Sequence, residues 1–241
     1  MKTTRSQTLL AIALVIALTF LNSIARAAEP PAVTAIDILL IPDAAMMDHA
    51  EAVNARLRSV YPEGFALDDA HRPHITLYQC FVPTENLDKV YAAAGKVLAG
   101  GKVTAVKMKA FKFYYVPSGE IGLAGTVAEP PPELVKLQAD LIAAVAPLTV
   151  KTATSSAFFT TPEQSNIDPV LIPYVEKFAT TQTGEHFSPH VSTGIASKEY
   201  LDKMLAQPFE AFTFSVTGAA VYQLGDFGTA AKLLKTLDLK P

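Results

Sequence analysis

The chain has 241 residues, 20 basic against 23 acidic, and a formal charge of −3. A mildly acidic protein has no general polyanion-binding surface, so a phosphate-bearing ligand must be met by a local site. The single cysteine, Cys80, excludes an internal disulfide framework and is read as a small buried hydrophobe.

Lys2 and Arg5 lead into an apolar run from Leu9 to Leu21 that ends near Ala25-Arg26-Ala27. This is the pattern of a cleaved secretory signal over residues 1–27, too short for a membrane span of about 20 residues. Its removal takes Lys2, Arg5 and Arg26 with it and brings the formal charge to −6. The expectation is a periplasmic or secreted protein, free of the membrane after cleavage. Residues 28–241 are then enough for one bilobal domain.

Ile36 to Ile41 reads as a buried strand, and Asp43 caps a helix with Met47, Ala50, Val53, Leu57 and Val60 at helical spacing. Tyr61-Pro62-Glu63-Gly64 stops it. A strand from His74 to Phe81 follows, and then Thr84 caps a helix carrying Leu87, Val90, Tyr91, Ala94 and Leu98 that Gly100-Gly101 ends. Val103–Val116 and Ile121–Val127 form a hairpin through Pro117-Ser118-Gly119. Pro130 to Pro132 opens a third helix with Leu134, Leu137, Leu141 and Val145 inward. Residues 148–187 read as an irregular insertion with one short helix around Val170 to Ala179. It is either a surface excursion or a side wall over a cleft, with Phe158 and Phe159 as its apolar contacts.

Ser188-Pro189 then leads into a strand at His190, Ser197 caps a helix with Leu201, Met204 and Leu205, and Phe209–Tyr222 and Thr229–Leu237 form a second hairpin about Gly225-Asp226-Phe227-Gly228. The order strand, helix, hairpin thus occurs twice. A duplication of this kind predicts an α+β fold with pseudo-twofold symmetry that brings the two equivalent strands together at a central cleft.

Those two strands carry the same arrangement 116 positions apart: His74-Ile75-Thr76-Leu77 and His190-Val191-Ser192-Thr193. Strand alternation puts His74 with Thr76, and His190 with Ser192, on one face. A proton-transfer group and a hydroxyl donor roughly 6 to 7 Å apart can straddle a phosphate. Two histidines facing each other offer an acid and a base near neutral pH. Arg72, two residues before His74, is a lesser candidate for phosphate binding, and Tyr78 falls on the face of His74 and Thr76 by alternation, where it could stack on a base.

The paired motifs resemble the 2H phosphoesterase superfamily, which includes 2′-5′ RNA ligase-like proteins and cyclic phosphodiesterases. The resemblance covers about Ile36 to Leu237 and departs from the family pattern at Thr193, where an apolar residue is usual. It implies catalysis by His74 and His190 and substrate binding by Thr76 and Ser192. It further implies hydrolysis of a 2′,3′-cyclic or related phosphodiester, no metal and no cofactor. The expected partner is a small phosphodiester or an RNA end, without a stable nucleic-acid complex. Two other readings stand beside it. His71 and His186 could join the motif histidines in a metal site, or the fold could bind a nucleotide or other phosphorylated ligand without turnover.

Overall fold

The computed structural model describes residues 32–162 and 164–239. The expected leader at 1–27 lies outside the described residues. Among the described residues, no helix is long and apolar enough to cross a membrane.

Among the described residues, seven strands and five α-helices follow one another in the order β1 (Val33–Pro42), α1 (Ala44–Val60), β2 (Ile75–Pro83), α2 (Leu87–Gly100), β3 (Lys107–Ser118), β4 (Ile121–Glu129), α3 (Pro132–Val145), α4 (Leu171–Thr181), β5 (His190–Ser197), α5 (Lys198–Leu205), β6 (Phe212–Leu224) and β7 (Ala230–Leu237). The expected caps hold at two helices and fail at a third. Asp43 accepts from the Met46 amide and Ser197 from that of Tyr200. Thr84 does not cap α2: its hydroxyl bonds Thr34 across the strands, and a 3-10 turn at Thr84–Asn86 precedes the helix. On α1 the buried stripe runs through Met46, Ala50, Val53 and Leu57, while Val60 is exposed.

All strand pairings are antiparallel, and the long β6 serves two sheets. Its first residues pair with β3, giving a sheet β5-β4-β3-β6, and the rest pairs with β1 and β7, giving a sheet β2-β1-β6-β7. The repeat is therefore phased differently from the strand–helix–hairpin unit read from sequence. Exchanging β1 with β4, β2 with β5 and β3 with β6 preserves every pairing among those six strands, so the unit is strand, helix, motif strand, helix, strand, with β7 outside it. The hairpins β3–β4 and β6–β7 both form, but the first crosses the boundary between the units and the second extends past the end of one.

Each sheet buries one face under helices. Ile36, Ile38 and Leu40 of β1 and Ile75 and Leu77 of β2 pack with Val90, Ala94 and Leu98 of α2 and Leu134, Leu137 and Leu141 of α3. Ala124 of β4 and Ala196 of β5 pack with Val53 and Leu57 of α1 and Leu201 and Met204 of α5. Burial of these side chains, at about 25 cal/mol per Å² of apolar surface, is the main cohesive term. Cys80 lies in the first of these cores, where burial pushes its thiol pKa up. The opposite faces are left for the cleft.

The insertion does two separate things. Val150 bridges to Phe81 at the edge of β2, and Phe158 packs edge-on against Phe81 at 5.9 Å. Phe159 lies under the Lys232 ammonium. Neither phenylalanine lines the cleft. The expected side wall is made instead by α4, which presents Leu171, Tyr174 and Phe178 to it.

Candidate active site

Both motif strands shift register at their fourth motif residue. On β2 the partner of Ile38 is Tyr78 and that of Leu39 is Thr76, so Leu77 has no partner on β1. On β5 the partner of Ala124 is Gly194 and that of Gly125 is Ser192, so Thr193 has none on β4. An extra residue in one strand reverses the alternation beyond it. Tyr78 is thereby turned into the core with Ile38 and packs near Phe178, and the residue brought to the cleft face is Gln79, paired with Asp37. The expectation that Tyr78 shares the face of His74 is corrected by this shift.

The unpaired carbonyls are satisfied from the helices. Asn54 of α1 donates to the Thr193 carbonyl at 2.9 Å, and Gln138 of α3 donates to the Leu77 carbonyl at 3.0 Å. These helices are equivalent under the pseudo-twofold, and each amide holds the other unit's motif strand. The close fit also explains Gly194, whose φ of +141° is rare for L side chains and whose added Cβ would meet Asn54 Nδ2 at 2.8 Å. Thr193 itself is fully buried, with a hydroxyl that lacks a hydrogen-bond partner among the described residues.

With the strands so held, His74, Thr76, His190 and Ser192 all line one cavity of about 440 Å³, within the range of small-ligand sites. Each histidine points Nδ1 at a backbone carbonyl two residues earlier, His74 at Arg72 (2.6 Å) and His190 at Ser188 (2.8 Å). A carbonyl only accepts, so both Nδ1 atoms carry hydrogen and Nε2 is the atom that titrates. The Arg72 side chain is not part of the cavity lining. What residue 72 gives the site is this carbonyl.

The surroundings of the two rings differ. His74 Nε2 lies 3.3 Å from Oδ2 of the fully buried Asp37, within ion-pair distance. Desolvation, the largest single influence on His74, disfavours its charged form. The Asp37 carboxylate, aided by the Arg72 carbonyl, outweighs it, and the pKa rises above 6.5. His190 has no such neighbour; burial of the ring, reinforced by the charge of His74, carries its pKa below 6.5 against the opposing pull of the Ser188 carbonyl and Asp37. Its ring meets Tyr114 edge-on at 4.8 Å. Gly125, between Tyr114 and Ser192 in the sheet, makes room: an added Cβ would lie 2.4 Å from the tyrosine ring.

Asp37 also gathers the hydroxyls and amides around it. Thr76 donates to Oδ2 at 2.6 Å and Gln79 at 3.1 Å, while Oδ1 has no hydrogen-bond partner among the described residues. In this arrangement the one proton of Thr76 is committed to Asp37. The Ser192 hydroxyl lies beside Tyr114, whose phenol burial pushes up and the serine partly draws back.

The further histidines do not converge on the cavity. His71 bonds Asp68 at 2.9 Å and stacks on Phe65, and His186 is exposed. No group of three or more His, Cys, Asp or Glu is placed to hold a metal among the described residues. Asp37, Gln79, Tyr114 and Phe227 are site residues that motif reading missed. Asp37 had a signal, a lone carboxylate inside the apolar strand Ile36–Ile41. Phe227 sits at φ +56° in the β6–β7 turn, an uncommon conformation for a bulky residue, and lines the cavity.

Among solved structures the chain is similar to TT0787 of Thermus thermophilus, at 16% identity over 86% of this chain and 98% of that one with a TM-score of 0.48. It is also similar to E. coli LigT complexed with 3′-AMP, at 16% identity over 85% and 98% with a TM-score of 0.40. No curated protein sequence matches. The family model of the 2′-5′ RNA ligase superfamily matches residues 46–226, a stretch that holds both histidine motifs and begins after Asp37. With three quarters of its length matched, the chain belongs to the 2′-5′ RNA ligase superfamily.

Proposed function

We propose that the protein hydrolyses a 2′,3′-cyclic or related phosphodiester by general acid–base catalysis between His74 and His190, a mechanism that calls for no metal. The observation that carries this reading is that the two histidines line one cavity with their pKa values pushed to opposite sides of 6.5. Pairs of groups whose surroundings separate their pKa values are how acid and base roles are divided.

His190, neutral near pH 7, takes a proton on Nε2 from the water that attacks phosphorus. His74, kept protonated by Asp37, gives its Nε2 proton to the departing ribose oxygen. Asp37 is a positioning residue that acts through His74. Ser192 supplies a hydroxyl donor to a non-bridging oxygen. Thr76 secures Asp37 and can turn to the phosphate only by releasing it.

The leader-like residues 1–27 support placing this activity in the periplasm or outside the cell, which N-terminal sequencing of exported protein beginning near Ala28 would check. The function itself is tested by turnover of 2′,3′-cyclic mononucleotides, with and without EDTA, beside folded His74→Ala and His190→Ala variants. Turnover that survives the chelator and falls about 10² to 10⁴-fold in each variant supports the reading. Binding without turnover, or activity lost to EDTA, contradicts it.

A further inference from the structure

The two histidines are the only cationic side chains available to a ligand in the cavity, because its lining among the described residues includes no lysine or arginine. Of the two, only His74 has a carboxylate against its ring, Asp37 Oδ2 at 3.3 Å, and that carboxylate offsets whatever charge the imidazole carries. Asp37 lies behind the cavity lining, and a second carboxylate, Asp168, is part of it. The site therefore carries no net positive charge to spend on a second phosphate. Gln79, Ser118, Gln182 and Ser188 also line it, but the broad surfaces are aromatic and aliphatic: Tyr114 beside His190, Tyr174 and Phe178 on α4, Phe227 in the β6–β7 turn and Leu123 on β4. Such walls suit a flat apolar group, which gains by stacking and by loss of wetted surface.

From this juxtaposition we infer that the substrate is a small phosphodiester with a single phosphate and a flat, apolar substituent, a monoanion, and that chains carrying further phosphates are discriminated against. The inference rests on the two-histidine reading above and narrows it. A polyphosphate or an oligonucleotide brings two or more negative charges that favour basic partners, and here the lining among the described residues offers a carboxylate, Asp168, and no lysine or arginine. A diester without the flat group leaves the aromatic wall unused. Asp168 and Tyr174 both line the cavity, which makes the discrimination local to it and not a property of the whole surface.

The test compares kcat/KM for four cyclic diesters: a 2′,3′-cyclic mononucleotide, the same nucleotide with an added 5′-phosphate, a short oligonucleotide ending in the cyclic phosphate, and glycerol 1,2-cyclic phosphate. The first should exceed each of the others by about tenfold or more, the range expected when one charge or one stacking contact is lost. Val170, exposed at the cavity rim, supplies the converse. Val170→Lys should raise the relative rate on the 5′-phosphorylated nucleotide severalfold while leaving the unphosphorylated one within twofold. Equal or faster turnover of the oligonucleotide, abolished by His190→Ala, would overturn the substrate class and leave the two-histidine function standing. Failure to turn over any of the four would remove both.

Discussion

The two halves of the molecule share one plan, and beside their histidines they differ at two pairs of equivalent positions. Counting from the register shifts, Asp37 of β1 is equivalent to Leu123 of β4, and Gln79 of β2 to Ile195 of β5. The first half puts a buried carboxylate and an amide beside its histidine, and the second puts two aliphatic side chains. Both histidines keep the same carbonyl bond at Nδ1, so neither tautomer nor strand geometry separates them. A single acidic residue does. Duplication supplies two like groups, and a substitution in one copy makes them unlike.

The largest expected effect breaks this comparison at the histidines themselves, and the leaving group tells their roles apart. His190→Ala should lower kcat/KM by about 10² to 10⁴ on every diester, because all of them need the attacking water activated. His74→Ala should be as severe on a ribose leaving group but far milder on a p-nitrophenyl diester, whose departing oxygen needs no proton. Equal losses on both substrates would show that His74 is not the acid.

Next in size are substitutions that exchange the halves' surroundings. Activity requires His190 unprotonated and His74 protonated, so kcat/KM should be bell-shaped. Its acid limb lies below 6.5, where His190 gains a proton, and its alkaline limb above 6.5, where His74 loses one. Asp37, Tyr114, Tyr174 and Asp168 are the other ionisable groups around the pair. The tyrosines stay neutral across this range, since burial raises both, Tyr174 to about 12. Asp37→Asn should move the alkaline limb down. Each unit lost from the His74 pKa removes about tenfold of the protonated form at pH values above it. Leu123→Asp should move the acid limb up instead. An unchanged profile in both variants would sink the role given to position 37.

Smaller effects concern the scaffold. Asn54→Ala and Gln138→Ala each leave a buried carbonyl of a motif strand without its donor, and each should cost about 1 to 3 kcal/mol in denaturant unfolding. Because the two amides act at equivalent places, the costs should be similar; a loss in only one would mean that the halves are not held alike. Thr193→Val removes a buried hydroxyl that bonds nothing among the described residues, and should be neutral or stabilising by up to about 1 kcal/mol.

Much of this was legible in the chain. Apolar positions at helical spacing placed four of the five described α-helices, turn residues placed both hairpins, and the repeated His-x-Thr/Ser spacing named four residues that line the cavity together. Three features were not legible, each for a physical reason. Alternation assigns Tyr78 to the cleft because a sequence does not display an extra, unpaired residue in a strand, and Leu77 is such a residue. The phase of the repeat depends on which strands pair across long stretches of chain, and β3 and β6 pair with each other through only four residues each. Phe158 and Phe159 carry no mark that says which side of the sheet the insertion will follow. Asp37 was visible as an anomaly, but its meaning appears only once β1 and β2 stand side by side.

The most direct test of the division between the halves is a pH titration of the imidazole nitrogens by NMR, with His74→Gln and His190→Gln used for assignment. The account predicts that His74 titrates above 6.5, that His190 titrates below it, and that both rings when neutral carry hydrogen on Nδ1. The same titration for both rings, or the reverse order, would contradict it.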